Sequence, residues 1–166
     1  MSMTVSIKLL ADYPHLIAAV GEMRWKEWGH PPEPDSLDWW VNVTMQESGR
    51  SKLPVTWVAV DDHNQAVGAV GLAAFDIEER HDRSPWIIGM IVAAHYRSKG
   101  IGSQLLATLE LFAHQNGYSR IWVGTGGHAI DFYQKCGWRL TEVVERPTGE
   151  KVLILGKSLK QLEITQ

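Results

Sequence analysis

The sequence of 166 residues has a single cysteine, Cys136. One thiol excludes an intramolecular disulfide and any zinc site built from several cysteines, and it fits a reducing compartment. Positive charge is not in excess: 16 Lys and Arg stand against 19 Asp and Glu, a formal net charge of −3. A general nucleic-acid binder carries a basic surface instead. No stretch is long and apolar enough to span a bilayer. The opening MSMTVSIKLLADYPHL lacks the apolar run behind a basic start that marks a secretory signal. Internal repeats and low-complexity segments are also missing. Disulfide-framework, collagen-like, disordered and membrane classes drop out. A cytoplasmic protein remains, expected to form one domain over residues 1–166, with no metal, nucleic-acid or membrane partner.

What the chain does have is tryptophan, 8 residues in all, four of them (Trp25, Trp28, Trp39, Trp40) in one short N-terminal region. Between the two pairs, Gly29-His30-Pro31-Pro32-Glu33-Pro34-Asp35 reads as a surface connection between helices. Periodicity predicts a strand over Thr4–Leu10 and a helix over His15–Trp28, with Leu16, Ile17, Val20 and Met23 on its apolar face. A second helix runs through Trp39, Trp40 and Val43, capped by Asp35 or Ser36. Val55–Val60 and Gln65–Phe75 form a hairpin across Asp61-Asp62-His63-Asn64.

Trp86–Val92 is almost wholly apolar, the pattern of a central strand covered on both faces. Gly89 within it suggests a bulge or a close approach to the backbone. Ile101, Leu105, Leu106, Leu109, Phe112 and Ala113 mark one face of a long helix ended by Asn116-Gly117. Then follow a short strand (Arg120–Val123), a short helix (Ala129–Lys135) and two strands (Trp138–Val144 and Lys151–Leu155). The order implies an α/β (α+β) fold, a mixed central sheet flanked by helices.

The chemistry concentrates where the central strand ends. Arg97-x-x-Gly100-x-Gly102 opens the long helix. Helix N-termini present backbone N–H groups and the positive end of the dipole, and glycines there let a phosphate approach closely. With Arg97 and Lys99 adding charge, the segment reads as an anion site suited to a pyrophosphate. A P-loop, GxxxxGK[ST], is absent, and Arg-Ser-Lys-Gly-Ile-Gly does not match the dinucleotide fingerprint. Gly124-Thr-Gly-Gly-His-Ala129 does match GxGxxA, but its helix is short and little chain follows for a doubly wound sheet.

Val92-x-x-x-Tyr96-Arg97-x-x-Gly100-x-Gly102 resembles the acyl-CoA pyrophosphate loop of GNAT-type N-acetyltransferases. Phe132-Tyr133-Gln134-Lys135-Cys136-Gly137-Trp138 resembles that family's second signature, and the two fall in the right order with a strand between them. The resemblance implies acetyl-CoA as co-substrate. It implies that Arg97, Ser98, Lys99, Gly100, Ile101, Gly102 and Ser103 hold the pyrophosphate through the backbone, and that Met90, Ile91 and Val92 pair with the pantetheine arm. Tyr133 matches the general acid that protonates the departing thiolate, a task suited to a phenol still protonated at neutral pH.

The resemblance also implies acceptor recognition by the first two helices and their connection, here Trp25, Glu27, Trp28 and His30, with Glu33, Asp35, Asp38, Trp39 and Trp40 nearby. Aromatics with carboxylates suit a cationic amine, and packing of the helices on the sheet is the other reading of the same tryptophans. The general base is left open among Asp76, Glu78, Glu79, His81, Glu27, His30 and His128. Relatives are often dimers, so a homodimer is among the implied arrangements. The implied activity is acetyl transfer to a primary amine of a small molecule or peptide. The alternative is a non-catalytic acyl-CoA-binding regulator of the same fold.

Overall fold

A computed structural model describes residues 4–159. Strand β1 (Val5–Leu9) leads through two short 3-10 turns, Leu10–Asp12 and Pro14–Leu16, into helix α1 (Ile17–Trp28). His15 thus lies in a 3-10 turn, because Pro14 starts that segment and supplies no backbone donor. Helix α2 (Leu37–Gln46) follows. Its N-cap is Ser36 rather than Asp35: the Ser36 hydroxyl accepts from the Trp39 N–H at 3.2 Å. Asp35 is engaged elsewhere, accepting from Trp25 Nε1 at 3.0 Å.

The hairpin comprises β2 (Val55–Asp61) and β3 (Ala66–Ala73), antiparallel, with a register shift at Ala59/Val60. Asp61 fixes the turn by accepting from the N–H groups of His63 and Gln65, each at 2.9 Å. Strand β4 occupies Trp86–Val92 and helix α3 Ile101–Gln115. Then come β5 (Arg120–Thr125), a 3-10 turn, helix α4 (Ile130–Lys135), β6 (Arg139–Glu145) and β7 (Lys151–Ser158). The seven strands lie in the order β1-β2-β3-β4-β5-β7-β6. β4 and β5 are parallel, while β1–β2–β3 and β5–β7–β6 are antiparallel ladders. The sheet is mixed, as the alternation of strands and helices implies.

The chain divides into two compact units. One holds the chain to Leu72 with Gly89–Leu109, and the other holds Ala73–Ile88 with the chain from Glu110 onward. In the first unit Leu10, Leu16, Val20, Val58, Val60, Ala69 and Ile91 form the core. In the second, Ile77, Trp86, Val144, Val152 and Ile154 do so, with Trp122 packed against them.

β5 runs two residues past the expected end, so Gly124 is a strand residue paired with Ile154 of β7. A Cβ at Gly124 would lie 2.3 Å from Ile77 Cδ1. That glycine makes room for the core, which accounts for the first position of the GxGxxA pattern by packing. Among the described residues, no helix is long and apolar enough to cross a membrane. No group of three or more His, Cys, Asp or Glu is placed among them to hold a metal ion.

Candidate active site

The segment between β4 and α3 is a built loop. Ala93 N–H donates to Val67 O at 2.9 Å, tying the end of β4 to β3. Tyr96, part of the first signature, donates its hydroxyl to Asp61 Oδ2 at 3.1 Å and so pins the loop to the β2–β3 turn. That bond holds the Asp61 carboxyl below its ordinary range, behind the larger effect of the Gln65 N–H, and raises the Tyr96 phenol. Arg97 turns back, its Nε donating to Val92 O at 2.9 Å.

Two residues of the loop adopt left-handed backbone: Ser98 at φ 62° and Gly100 at φ 83°. For Ser98 this conformation is uncommon, and for Gly100 it is free of Cβ strain. Such alternation turns successive N–H groups into a concave anion receptor. Gly100 O accepts from Gln104 N at 3.1 Å, so the helix starts at this glycine. A Cβ on Gly100 would meet nothing within 4 Å; the space over the first turn of α3 is open. Arg97, Ser98, Lys99 and Ser103 are exposed around it, Gly102 is half-buried, and Ile101 is buried and anchors the turn. The loop combines left-handed backbone, a helix N-terminus and the exposed cations Arg97 and Lys99, features suited to an anion.

Leading into that loop, Met90 and Val92 are half-buried, whereas Ile91 sends its side chain into the core. Just before them Gly89 is left-handed at φ 55°, a local distortion of the strand. The space beside it is taken by Arg24 of α1. A Cβ at Gly89 would lie 2.5 Å from Arg24 Nη2, 2.6 Å from Cζ and 2.7 Å from Nε. Arg24 is only 2% exposed. Its Nη1 donates to Thr44 Oγ1 at 3.2 Å and Glu47 Oε1 at 3.0 Å, both from the α2 region. Nε and Nη2 are buried with no hydrogen-bond partner. Burial pushes the Arg24 guanidinium down and the Glu47 carboxyl up, and their mutual attraction opposes both shifts.

Arg24 escapes a sequence reading aimed at glycines and exposed carboxylates. Its signal was its position one helical turn after Val20, a charge on the apolar face of α1.

Tyr133 belongs to the second unit. It lies on α4, 3% exposed, with its ring edge-on to Trp138 at 5.5 Å and to Phe132 at 5.1 Å. Trp138 N–H donates to Tyr133 O at 3.0 Å, so the second signature closes on itself. Burial, helped by the nearby Cys136 thiol, pushes the Tyr133 phenol far above its ordinary value. It therefore keeps its proton at neutral pH. The Cys136 carbonyl accepts from Lys157 Nζ at 2.7 Å.

The N-terminal aromatics pack closely. Trp28 lies on the first core and faces Trp40 at 6.3 Å, Trp39 meets Trp40 edge-on at 5.0 Å, and Trp40 Nε1 donates to Pro34 O at 2.8 Å. Trp25 is half-buried, and Trp39 is 40% exposed. Glu27 comes within 3.7 Å of Arg97, so the structure brings an expected acceptor residue beside the loop between β4 and α3. His30 is exposed at the end of α1. Of the base candidates, His81 stacks on Phe75 at 4.7 Å and Glu79 pairs with Arg146 at 3.6 Å. Asp76, Glu78 and His128 are exposed.

A family model, Acetyltransferase (GNAT) family, matches residues 14–138 and so runs through both signatures' elements. Human N-acetyltransferase 8 is 30% identical over 88 residues, 51% of this chain. The match spans only 38% of that protein's length. Among solved structures, an aminoglycoside 6'-N-acetyltransferase complexed with coenzyme A superposes with a TM-score of 0.76 at 16% identity, covering 95% of this chain and 97% of that one. A chimera of the Vibrio cholerae spermidine N-acetyltransferase gives a TM-score of 0.72 at 14% identity, covering 95% and 96%. At these identities the structures establish the shared fold.

Proposed function

The chain belongs to the acetyltransferase (GNAT) family, and from that membership we propose that it transfers an acetyl group from acetyl-CoA directly to a primary amine of a small molecule or peptide. The observation that carries the proposal is the loop with left-handed Ser98 and Gly100 at the start of the fifteen-residue helix α3. A helix of this length presents N–H groups and a dipole to an anion at its first turn.

Acetyl-CoA supplies the acyl group activated as a thioester. In this reading the backbone of Arg97, Ser98, Lys99, Gly100, Ile101, Gly102 and Ser103 holds the pyrophosphate. The backbone of Met90, Ile91 and Val92 receives the pantetheine arm as an added strand. Tyr133 gives its proton to the departing sulfur, a role its apolar setting supports by keeping the phenol neutral. Trp25, Glu27, Trp28 and His30 form the acceptor side, where aromatic faces and a carboxylate favour a cationic amine. Residues 1–166 act as one acetyltransferase domain, in the cytoplasm, where the lone cysteine stays reduced.

Calorimetric titration tests the cofactor assignment, with NAD and ATP as controls. Micromolar acetyl-CoA binding that is lost in Gly102→Glu is expected, because the new carboxylate would occupy the anion cradle. Absence of acetyl-CoA binding by folded protein sinks the proposal. Binding without release of coenzyme A across a broad amine panel would instead leave an acyl-CoA-binding regulator.

A further inference from the structure

Arg24 has more hydrogen-bonding capacity than its surroundings use. A guanidinium carries five N–H donors in a planar fork. In this protein Nη1 is spent on Thr44 and Glu47, while Nε and Nη2, which share one edge of the fork, are buried without a partner. A residue kept only to tie α1 to α2 would need no more than the Nη1 bonds. Leaving two donors of a buried charge unsatisfied is costly, and natural interiors rarely tolerate it.

The unsatisfied edge has a specific location. The atoms Nη2, Cζ and Nε lie beside Gly89, where β4 departs from extended backbone. Any side chain at position 89 would collide with the same atoms, Nη2, Cζ and Nε. Gly89 and Met90 are half-buried, and the strand continues from there into the loop before α3. A free Nε/Nη2 edge is suited to an oxygen that bears negative charge, more so than the point charge of a lysine.

We propose that Arg24 is a catalytic residue whose unpaired Nε–H and Nη2–H donate to the oxygen of the transferred acyl group at the Gly89 distortion. This rests on the acetyl-transfer reading above. The amine lone pair forms the C–N bond while the carbonyl π pair moves onto the oxygen, where Arg24 meets the growing charge. That pair then re-forms the carbonyl as the C–S bond breaks, and sulfur leaves with the bonding electrons. Nitrogen loses one proton and sulfur gains one. Arg24 remains protonated throughout, and it acts in a site already arranged for the charge before the reaction begins.

The test compares acetyl-CoA with coenzyme A, which lacks the acyl oxygen. In isotope-edited infrared spectra, wild-type protein should lower the carbonyl stretch of bound acetyl-CoA, and Arg24→Gln should return it toward the free value. Calorimetry should show Arg24→Gln weakening acetyl-CoA several-fold with coenzyme A affinity unchanged. Turnover should fall about 100-fold, the scale for loss of one such donor. An unchanged carbonyl frequency with an unchanged affinity ratio overturns the assignment.

Should Arg24→Gln not fold, the wild-type Arg24 Nε–H resonance decides. It should shift with acetyl-CoA and not with coenzyme A, and an equal response to both overturns the assignment. A folded wild-type protein that binds neither ligand rejects the acetyl-transfer reading and this assignment together. Binding and turnover with an indifferent Arg24 reject only the assignment.

Discussion

Tyr133 and Gly89 show what a single residue contributes in each unit. In the proposed reaction, removing the Tyr133 hydroxyl takes away the proton donor and leaves the ring packed on Trp138 and Phe132. Tyr133→Phe should therefore lower kcat by about 100-fold and leave acetyl-CoA affinity close to wild type in a titration. Its phenol is raised above the unfolded value near 10 by burial. The stability linked to the neutral form is complete below about pH 10 and is lost as pH climbs toward the raised native value. Thermal melts should thus show no Tyr133-linked loss at neutral pH and a decline in the alkaline range. Gly89→Ala combines a left-handed backbone with a Cβ 2.5 Å from Arg24 Nη2. It should cost about 2–4 kcal/mol in urea denaturation. The strand glycine was legible as a distortion because it interrupts an otherwise apolar run. The arginine behind it was not, since a contact between residues 24 and 89 is made by tertiary packing and leaves no local pattern.

Elements were the most legible level. β4 occupies the stretch its apolar run marks, and α3 follows its leucine stripe, because both are long or uniform enough for periodicity to dominate. Ends were less legible: β5 and β7 extend beyond their expected limits because the β5–β7 ladder pairs Gly124 with Ile154 and Arg120 with Ser158. Cross-strand partners of that kind are invisible to local reading. The α2 cap depends on Ser36 alone among its two candidates, so Ser36→Ala should cost about 1 kcal/mol and Asp35→Ala less, by denaturant titration. If the loop before α3 holds the cofactor as proposed, Gly100→Val should weaken acetyl-CoA binding through the backbone, since a Cβ there would meet open space yet valine cannot adopt φ 83° without strain. Gly100→Asn, which tolerates that conformation better, should bind more tightly than Gly100→Val. The loop's place at the start of α3 was readable from glycine spacing, but the fastening of Tyr96 to Asp61 was not.

For the chain as a whole, mixed-sheet class followed from element order, but strand order did not, because β7 inserts between β5 and β6. That placement is supported by a polar group inside the second unit. Lys157 of β7 donates to Glu110 Oε1 at 2.7 Å, and Trp138 Nε1 donates to Glu110 Oε2 at 3.3 Å. Glu110 is 5% exposed, so Lys157→Met strands a buried carboxylate and should cost roughly 2–4 kcal/mol in chemical denaturation. Replacing Glu110 and Lys157 together with apolar residues should cost less than the single change.

The inserted strand has a consequence for synthesis on the ribosome. When β6 has emerged and β7 has not, β6 lacks the neighbour it pairs with, and β5 presents the edge that β7 later covers. Such edges are templates for the wrong partner, and domains that form during translation wait for their missing pieces. The nascent chain is therefore most vulnerable in the short interval before Lys151–Ser158 leaves the exit tunnel. A pause in synthesis after β6 has left the tunnel and before β7 has done so would prolong that exposure.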